Sequence, residues 1–485
     1  MDYSYFYDIN FTTDLYVRSH FGIETCFRSQ NTSKRENLMT GLTREQKEAV
    51  GLLQIGTFLE YFDLMLYVHM AVLMNELFFP KTDPHTAALL TAFAFCSTYV
   101  LRPFGALIFG YIGDNIGRKT TVIITTTMMA MSCLVMANLP TYAQIGISAA
   151  WIVTICRIIQ GLSSMGEIMG AQIYVSEITK PPVAYPAVSS ISVASAVGSM
   201  AAVGIAALTT HCGFNWRVAF WIGACIAVIG SIARTRLRET PEFVDMRLKL
   251  KLSIEKYRGV KSKKREKLLN AASYFRKYKT PPLTLLSYFF IQCGWPVSFY
   301  LVYMYLSPIL RDIYHYTSED IILHNFILTI AQTLQAIAWS VVSFYFHPLK
   351  IMRIKGAVFA LLMILIPVCL LFQASIWAIS LLQFFILVFN VGEGPAQYVF
   401  IKHIPVYKRF TASSFIYALG RAVAYIITSF GLVYLTEWLN FWGTLFVTLP
   451  LCISFLWAIK HFEKLEGLRP DKSFSKPTGS ISQAA

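Results

Sequence analysis

Seven ionisable side chains fall inside long apolar stretches of this sequence: Glu60, Asp63, Arg102, Arg157 and Glu167 in its first half, Glu393 and Arg421 in its second. In hydrocarbon each costs about 2.5–3.5 kcal/mol, so each needs a partner or a water-filled cavity. Glu60, Asp63 and Tyr67 are three and four residues apart and share one helical face. Two neighbouring carboxylates in a medium of low dielectric repel one another, and protonating one relieves the repulsion, which is the behaviour of a reversible proton carrier. Asp63 lies roughly 21 Å of helical rise from the start of its stretch, too deep to snorkel to the near interface. A static Asp–Arg pair that fixes helix packing is the other reading of Asp63.

Arg157, Gln160, Ser164 and Glu167 recur at spacings of three, four and three, a polar stripe interleaved with Gly161, Gly166 and Gly170, which permit close helix approach. Glu60, Asp63, Arg157 and Glu167 are therefore read as the proton-coupling set. Arg102, followed by Pro103 and Gly105, either binds a substrate carboxylate, which a guanidinium matches bidentately, or neutralises Glu60 or Asp63. A quaternary ammonium needs aromatic faces, and Trp295, Tyr300 and Tyr303 supply three at spacings of five and three. Arg102, Gln160, Trp295, Tyr300 and Tyr303 form the expected substrate-binding set. The run Gly110-Tyr-Ile-Gly113-Asp114-Asn-Ile-Gly117-Arg118-Lys119-Thr120 looks superficially like a phosphate-cradling loop. It lacks the closing Gly-Lys and a preceding strand, so nucleotide binding is rejected.

Of 485 residues, 55% are hydrophobic and only 14% charged, with a mean hydropathy of +0.52, so most of the surface must face something other than water. Segments long enough to cross about 30 Å of hydrocarbon, roughly 20 residues each, occur near 49–77, 87–112, 120–138, 145–172, 187–210, 216–236, 283–310, 321–346, 356–373, 376–399, 411–436 and 439–460. That predicts an all-α polytopic membrane protein with twelve transmembrane helices. Pro367 and the polar break Gln373-Ala374-Ser375 separate the ninth from the tenth; if that break does not divide them, the count is eleven.

The net charge of +15 reads as membrane topology rather than nucleic-acid binding, because the basic residues lie between apolar stretches. With both termini inside, Arg118, Lys119, Lys180, Lys350, Arg353, Lys355, Lys402, Lys408 and Arg409 are cytoplasmic, against Lys81 and Arg311 outside. Between Leu237 and Pro282 lie fourteen basic and five acidic residues, a loop with affinity for anionic lipid. The expected organisation is a polar tail over 1–47, disordered; a six-helix half over 48–236; a basic cytoplasmic linker over 237–282; a second six-helix half over 283–461; and a cytoplasmic tail over 462–485. Two such halves suggest the pseudo-symmetry of secondary transporters, with a midplane site that alternates its exposure. Nine singly placed cysteines without CxxC argue against disulfides or zinc, and the sequence requires no cofactor and no catalytic group. The first 47 residues have no apolar run for a signal peptide, so the first span directs insertion.

The Gly110–Lys119 loop resembles the GxxxDxxGRK signature of the major facilitator superfamily, between spans 2 and 3 as in that family. Gly56-Thr-Phe-Leu-Glu60-Tyr-Phe-Asp63, Arg102-Pro103-Phe-Gly105, Arg157-Ile-Ile-Gln160-Gly161, Gly166-Glu167, Trp216-Arg217 and Arg238-Glu239-Thr240-Pro241-Glu242 are similar to the metabolite:H+ symporter family, in its bacterial proline/betaine transporter branch. The similarity covers about Gly41 to His461. It implies coupling roles for Asp63 and Arg157, and a cytoplasmic gating loop of Gly110, Asp114, Gly117, Arg118 and Lys119. The loop after span 8, Phe346-His-Pro-Leu-Lys350, lacks a second copy of that signature, Lys402 stands where a Glu is usual, and the loop after span 4 lacks an Arg pair. The function implied is proton-coupled symport of a small zwitterion such as proline or betaine across a bacterial inner membrane, by a monomer among membrane lipids. A symporter for organic acids is the alternative, and a transporter-like sensor the remote one.

Overall fold

The structure, a computed structural model, describes residues 41–69, 77–78, 84–212, 217–235, 237–256 and 281–468. The expectations for the amino-terminal tail up to residue 40, for Lys81 and Trp216, for the linker over 257–280 and for the tail beyond Leu468 lie outside these residues, as does the side chain of Tyr67. From Glu45 the chain forms one unit; Met1–Arg44 is a separate one, described only over 41–44.

Every regular element among the described residues is helical, as a lipid-embedded backbone requires when no water is present to satisfy its amides. The first set comprises α1 (Arg44–His69), α2 (Pro84–Asn115), α3 (Arg118–Asn138), α4 (Ile147–Ile178), α5 (Ala184–Cys212) and α6 (Arg217–Arg234), followed by α7 (Pro241–Lys256). The second begins with α8 (Pro282–Gln292), α9 (Gly294–Phe299) and α10 (Leu306–Tyr314). It continues with α11 (Ser318–Tyr345), α12 (Pro348–Leu371), α13 (Ile376–Val388), α14 (Gln397–Lys402), α15 (Arg409–Ile426), α16 (Leu432–Leu439) and α17 (Gly443–Leu465). Start signals are local. Proline opens α8 and α12 at positions where no amide donor is needed, and Thr317 and Asp320 form a capping box at α11.

Among the described residues, nine helices are long and apolar enough to cross a membrane, and α13 is a shorter apolar one. Large apolar side chains such as Phe104, Ile108, Trp151, Ile155, Phe446 and Ile453 point outward, while Glu60, Asp63, Arg102 and Arg118 are buried. This inversion marks a multi-pass membrane protein, whose outer face meets lipid. Helix α2 packs along α15 and α5 along α11, so these two pairs join the first set to the second.

Three expectations need correction. The tenth span is not continuous: α13 stops at Val388, and the chain runs through Asn390, Val391 and Gly392 before a 3-10 turn over Gly394–Ala396 leads into α14. The Gly392 amide donates to Asn390 Oδ1 at 3.1 Å, a local substitute for the lost helical bond. The seventh span is continuous over Pro282–Arg311 but not regular, with a π-helical segment over Tyr300–Tyr305 between α9 and α10. Lys355 is not in a loop, because α12 begins at Pro348 and carries it two turns inward, where it is 3% exposed. Lys350 and Arg353 lie in the first two turns of the same helix, nearer its end.

Candidate functional site

In the first set of helices the deep charges pair with one another. Arg157 on α4 donates to Asp63 on α1 at 3.2 Å and to Gln160 at 2.9 Å. The Cys133 thiol lies 3.7 Å from the other Asp63 oxygen. Arg102 on α2 sits 3.7 Å from Glu60, with its guanidinium over the Tyr99 ring. Glu167 accepts from the hydroxyls of Thr125 at 2.9 Å and Thr126 at 2.6 Å. All four carboxylate and guanidinium partners of these pairs are buried.

Between the two sets lies a cavity whose mostly apolar wall carries several polar and charged side chains. Tyr61 of α1, Ser189, Ser192 and Ser195 of α5 face Trp295 of α9, Gln332, Gln335 and Trp339 of α11, Lys355 of α12, and Arg421 of α15. The broken tenth span contributes Asn390, Gly392 and Glu393. Irregular backbone at membrane depth is tolerated where it lines such a cavity, which is the physical reason that the helix breaks here. Arg421 donates to Glu393 at 3.2 Å and Gln292 at 3.1 Å, and its guanidinium stacks 3.6 Å from the Tyr417 ring centre. The Tyr61 and Tyr417 hydroxyls meet at 3.3 Å, and the Tyr99 and Tyr425 rings pack at 4.3 Å. Acid and base on one buried wall can recognise a solute that carries both charges.

Of the expected substrate-binding residues, the structure places only Trp295 on this cavity. Arg102 and Gln160 are engaged by Glu60 and Arg157. Tyr303 donates to Gln332 at 2.9 Å, behind the wall, and Tyr300 packs into the apolar core. At about 100° per residue, a spacing of five turns Tyr300 roughly 140° away from Trp295, and the π-helical segment shifts the register further. No three-sided aromatic cage forms from these residues.

A third network closes one end of the bundle. Asp114, at the end of α2, accepts from the Phe410 amide at 3.1 Å, the Thr411 amide at 2.9 Å and the Thr411 hydroxyl at 2.7 Å. These are the first amides of α15, where the helix dipole favours an anion. At Gly110, one turn earlier, a Cβ would lie 2.7 Å from Thr411 Cα, so only glycine lets the two backbones meet. Arg118, fully buried, donates to the carbonyls of Gly113 at 2.6 Å and Val406 at 2.8 Å, and pairs with Glu177 at 3.2 Å and Asp114 at 3.3 Å. Arg409 pairs with Glu177 at 3.1 Å and with Glu242 at 2.6 Å. Glu239 accepts from the Arg118 and Lys119 amides at 3.0 and 3.3 Å, beside Gly117, whose φ of 151° is open to glycine. The Lys119 side chain forms no ion pair among the described residues.

Sequence reasoning missed Glu177, Glu239, Glu242 and Arg409 as members of this network. Arg238-Glu239-Thr240-Pro241-Glu242 carries a signal, since acids just before and within the first turn of α7 mark a helix start that needs placing. Beyond the membrane, Lys402 and His403 meet Glu466 at 2.8 and 2.5 Å. Burial alone would push the Glu466 carboxyl up, but the hydrogen bonds from His403 and Lys402 outweigh it and hold the group below its ordinary value.

A putative proline/betaine transporter of Staphylococcus aureus is 32% identical over 217 residues, 43% of this chain and 47% of the relative. The proline/betaine transporter of Salmonella typhimurium is 31% identical over 204 residues, 41% of each. The chain thus spans under half the length of these relatives. The crystallised proton:xylose symporter XylE, bound to 6-bromo-6-deoxy-D-glucose, superposes with a TM-score of 0.69 at 16% identity, covering 87% of this chain and 98% of XylE. At that identity the likeness carries the fold alone. The sequence description of the Major Facilitator Superfamily matches residues 53–429, from within α1 to just beyond α15 and across both charge networks and the cavity, and the chain belongs to that superfamily.

Proposed function

We propose that this protein is a proton-coupled symporter that carries a small zwitterion, proline- or betaine-like, across a bacterial inner membrane by alternating access. The carrying observation is the cavity between the two helix sets, where buried Glu393 and the buried bases Lys355 and Arg421 share one wall with Trp295. A zwitterion offers such a wall both a carboxylate and a cation, and an aromatic face suits an alkylated ammonium. The names of the two bacterial relatives point to the same solutes. The protein acts as a monomer in two six-helix halves of twelve spans in total, with both termini in the cytoplasm. The network around Asp114 is then the cytoplasmic gate and must break for the carrier to face inward.

Coupling falls to the amino-terminal half. Arg157 pairs with Asp63, and reorientation that parts the pair leaves a buried carboxylate that takes up a proton from outside. Glu60 with Arg102, and Glu167 between its two threonines, tune the same region. One observation favours a second reading, a symporter for organic acids: the cavity wall holds two bases against one acid. Uptake of labelled proline, betaine, citrate and 2-oxoglutarate into proteoliposomes under an imposed pH gradient separates the two. Gradient-driven uptake of proline or betaine is the expected result. Uptake of citrate or 2-oxoglutarate alone moves the assignment to organic acids, and indifference to the gradient removes the proton.

A further inference from the structure

Lys355 is 3% exposed and sits on the cavity wall with its ammonium 5.6 Å from the Trp339 ring centre. It forms no ion pair and no hydrogen bond among the described residues. The nearby acid does not complete it: Glu393 gives Oε1 to Arg421, while Oε2 has no hydrogen-bond partner. Arg421 is already engaged by Glu393, Gln292 and the Tyr417 ring. The wall therefore presents one amine with no direct ion pair or hydrogen bond among the described residues and one carboxylate oxygen without a hydrogen-bond partner, with the Gln335 carbonyl oxygen also unbonded. Charge on a buried amine is costly unless an anion meets it directly, and a single carboxylate from a ligand would do so.

We infer that Lys355 is the anchor for the carboxylate of the transported solute, and that the free Oε2 of Glu393, with Trp295 beside it, receives the cationic end. Lysine is a compact point charge with three donors, suited to hold a carboxylate that enters and leaves. Arg421, held from three sides, positions Glu393 rather than the solute. This inference rests on the reading above that the cavity is the solute site, and it adds which residue reads which end.

The test uses the full-length protein in proteoliposomes and ligands paired by one group: proline against prolinamide and betaine against choline, each as an inhibitor of labelled uptake. Lys355→Met should weaken proline and betaine about tenfold and leave prolinamide and choline unchanged, so that the gap within each pair collapses. Lys355→Arg should keep the gap. Equal weakening of both members of a pair, or no change, overturns the anchor. If wild-type protein ignores proline and betaine but takes up 2-oxoglutarate, the zwitterion reading fails; the anchor then stands if Lys355→Met weakens 2-oxoglutarate and falls if it does not. Uptake of xylose alone, or of none of the carboxylates, overturns it. Should Lys355→Met not fold, amine acetylation of wild-type Lys355, followed by mass spectrometry, decides: protection by proline or 2-oxoglutarate and not by prolinamide is expected, and its absence refutes the assignment.

Discussion

The two sets of helices bury charge in opposite ways. In the amino-terminal set, Asp63 and Glu60 each face a guanidinium, at 3.2 and 3.7 Å, and none of Glu60, Asp63, Arg102, Arg157 or Glu167 lines the cavity. In the carboxy-terminal set, Lys355, Glu393 and Arg421 all line it. Burial penalises charge equally in both places, but the first set holds two acid–guanidinium pairs and the threonine-bonded Glu167 away from the cavity, while all three charged side chains of the second face it. Pairing away from the cavity suits groups whose partners change with conformation; exposure to the cavity suits groups that bind. Tyr61 links the two, lying next to Glu60 in the chain, lining the cavity and touching Tyr417, over which Arg421 stacks.

The largest expected effect tests the first region. Asp63→Asn should abolish uphill accumulation while sparing solute exchange, because exchange needs reorientation of the loaded carrier and no net release of a proton. Asp63→Ala leaves Arg157 buried without its partner and should destabilise by about 3–5 kcal/mol. Loss of exchange in well-folded Asp63→Asn would assign Asp63 to packing or binding, and the contrast between the regions would dissolve.

Glu393→Gln tests the second region. It removes a charge that faces the cavity, so KM for a zwitterion should rise about tenfold, the scale of one charge-assisted hydrogen bond. Accumulation at saturating solute should persist. A mutant with unchanged KM that no longer responds to the pH gradient would reverse the roles of the two regions.

Asp114→Ala acts on neither region directly and sharpens the comparison by moving both together. Loss of an anion at the start of α15 should shift the balance toward the inward-facing state by about 1–2 kcal/mol, roughly five- to thirtyfold. The measurement is labelling of single cysteines placed at the two ends of the bundle; an unchanged ratio removes the gate role.

The smallest effect comes from a pair outside the membrane. Because the Glu466 carboxyl is held below its ordinary value, its bonds to Lys402 and His403 stabilise the fold fully above the unfolded value of 4.5 and are lost as pH falls through the lower folded value. Thermal melts of wild type and Glu466→Gln should differ by at most about 1 kcal/mol near neutrality and converge as the pH drops below that range. A gap that widens on acidification would contradict the sign.

Much of the site is legible along the chain. Apolar length shows the helices, and a charge inside such a length shows itself because lipid makes it expensive, so Asp63, Arg157, Glu393 and Arg421 stand out without coordinates. Helix starts attract anions, which gives Asp114 a physical reason to seek one, and the one it meets is the start of α15 at Thr411. Lys355 does not stand out, because the apolar run begins at Gly356, and whether a lysine at its edge is in a loop or two turns inside a helix depends on where α12 starts. The break at Asn390–Glu393 is equally hidden, as a cavity permits it and the cavity is made largely by other helices, and the π-helical segment over Tyr300–Tyr305 has no mark in the apolar run either.

By itself, then, the sequence determined a helical membrane protein with a basic, asymmetric set of loops, deep charges concentrated in its first half, and a glycine-rich loop that ends its second span. Those properties are local, since hydrophobic length, helical periodicity and the penalty for a charge in lipid act on each segment alone. Only the tertiary structure decided which charge meets which. Asp63 finds Arg157 94 residues away, Arg409 finds Glu177 232 residues away, and Lys355 is left facing a cavity lined by helices from both sets. Such pairings depend on how α2 and α5 pack against α15 and α11, and contacts between segments so far apart leave no periodic trace in the chain.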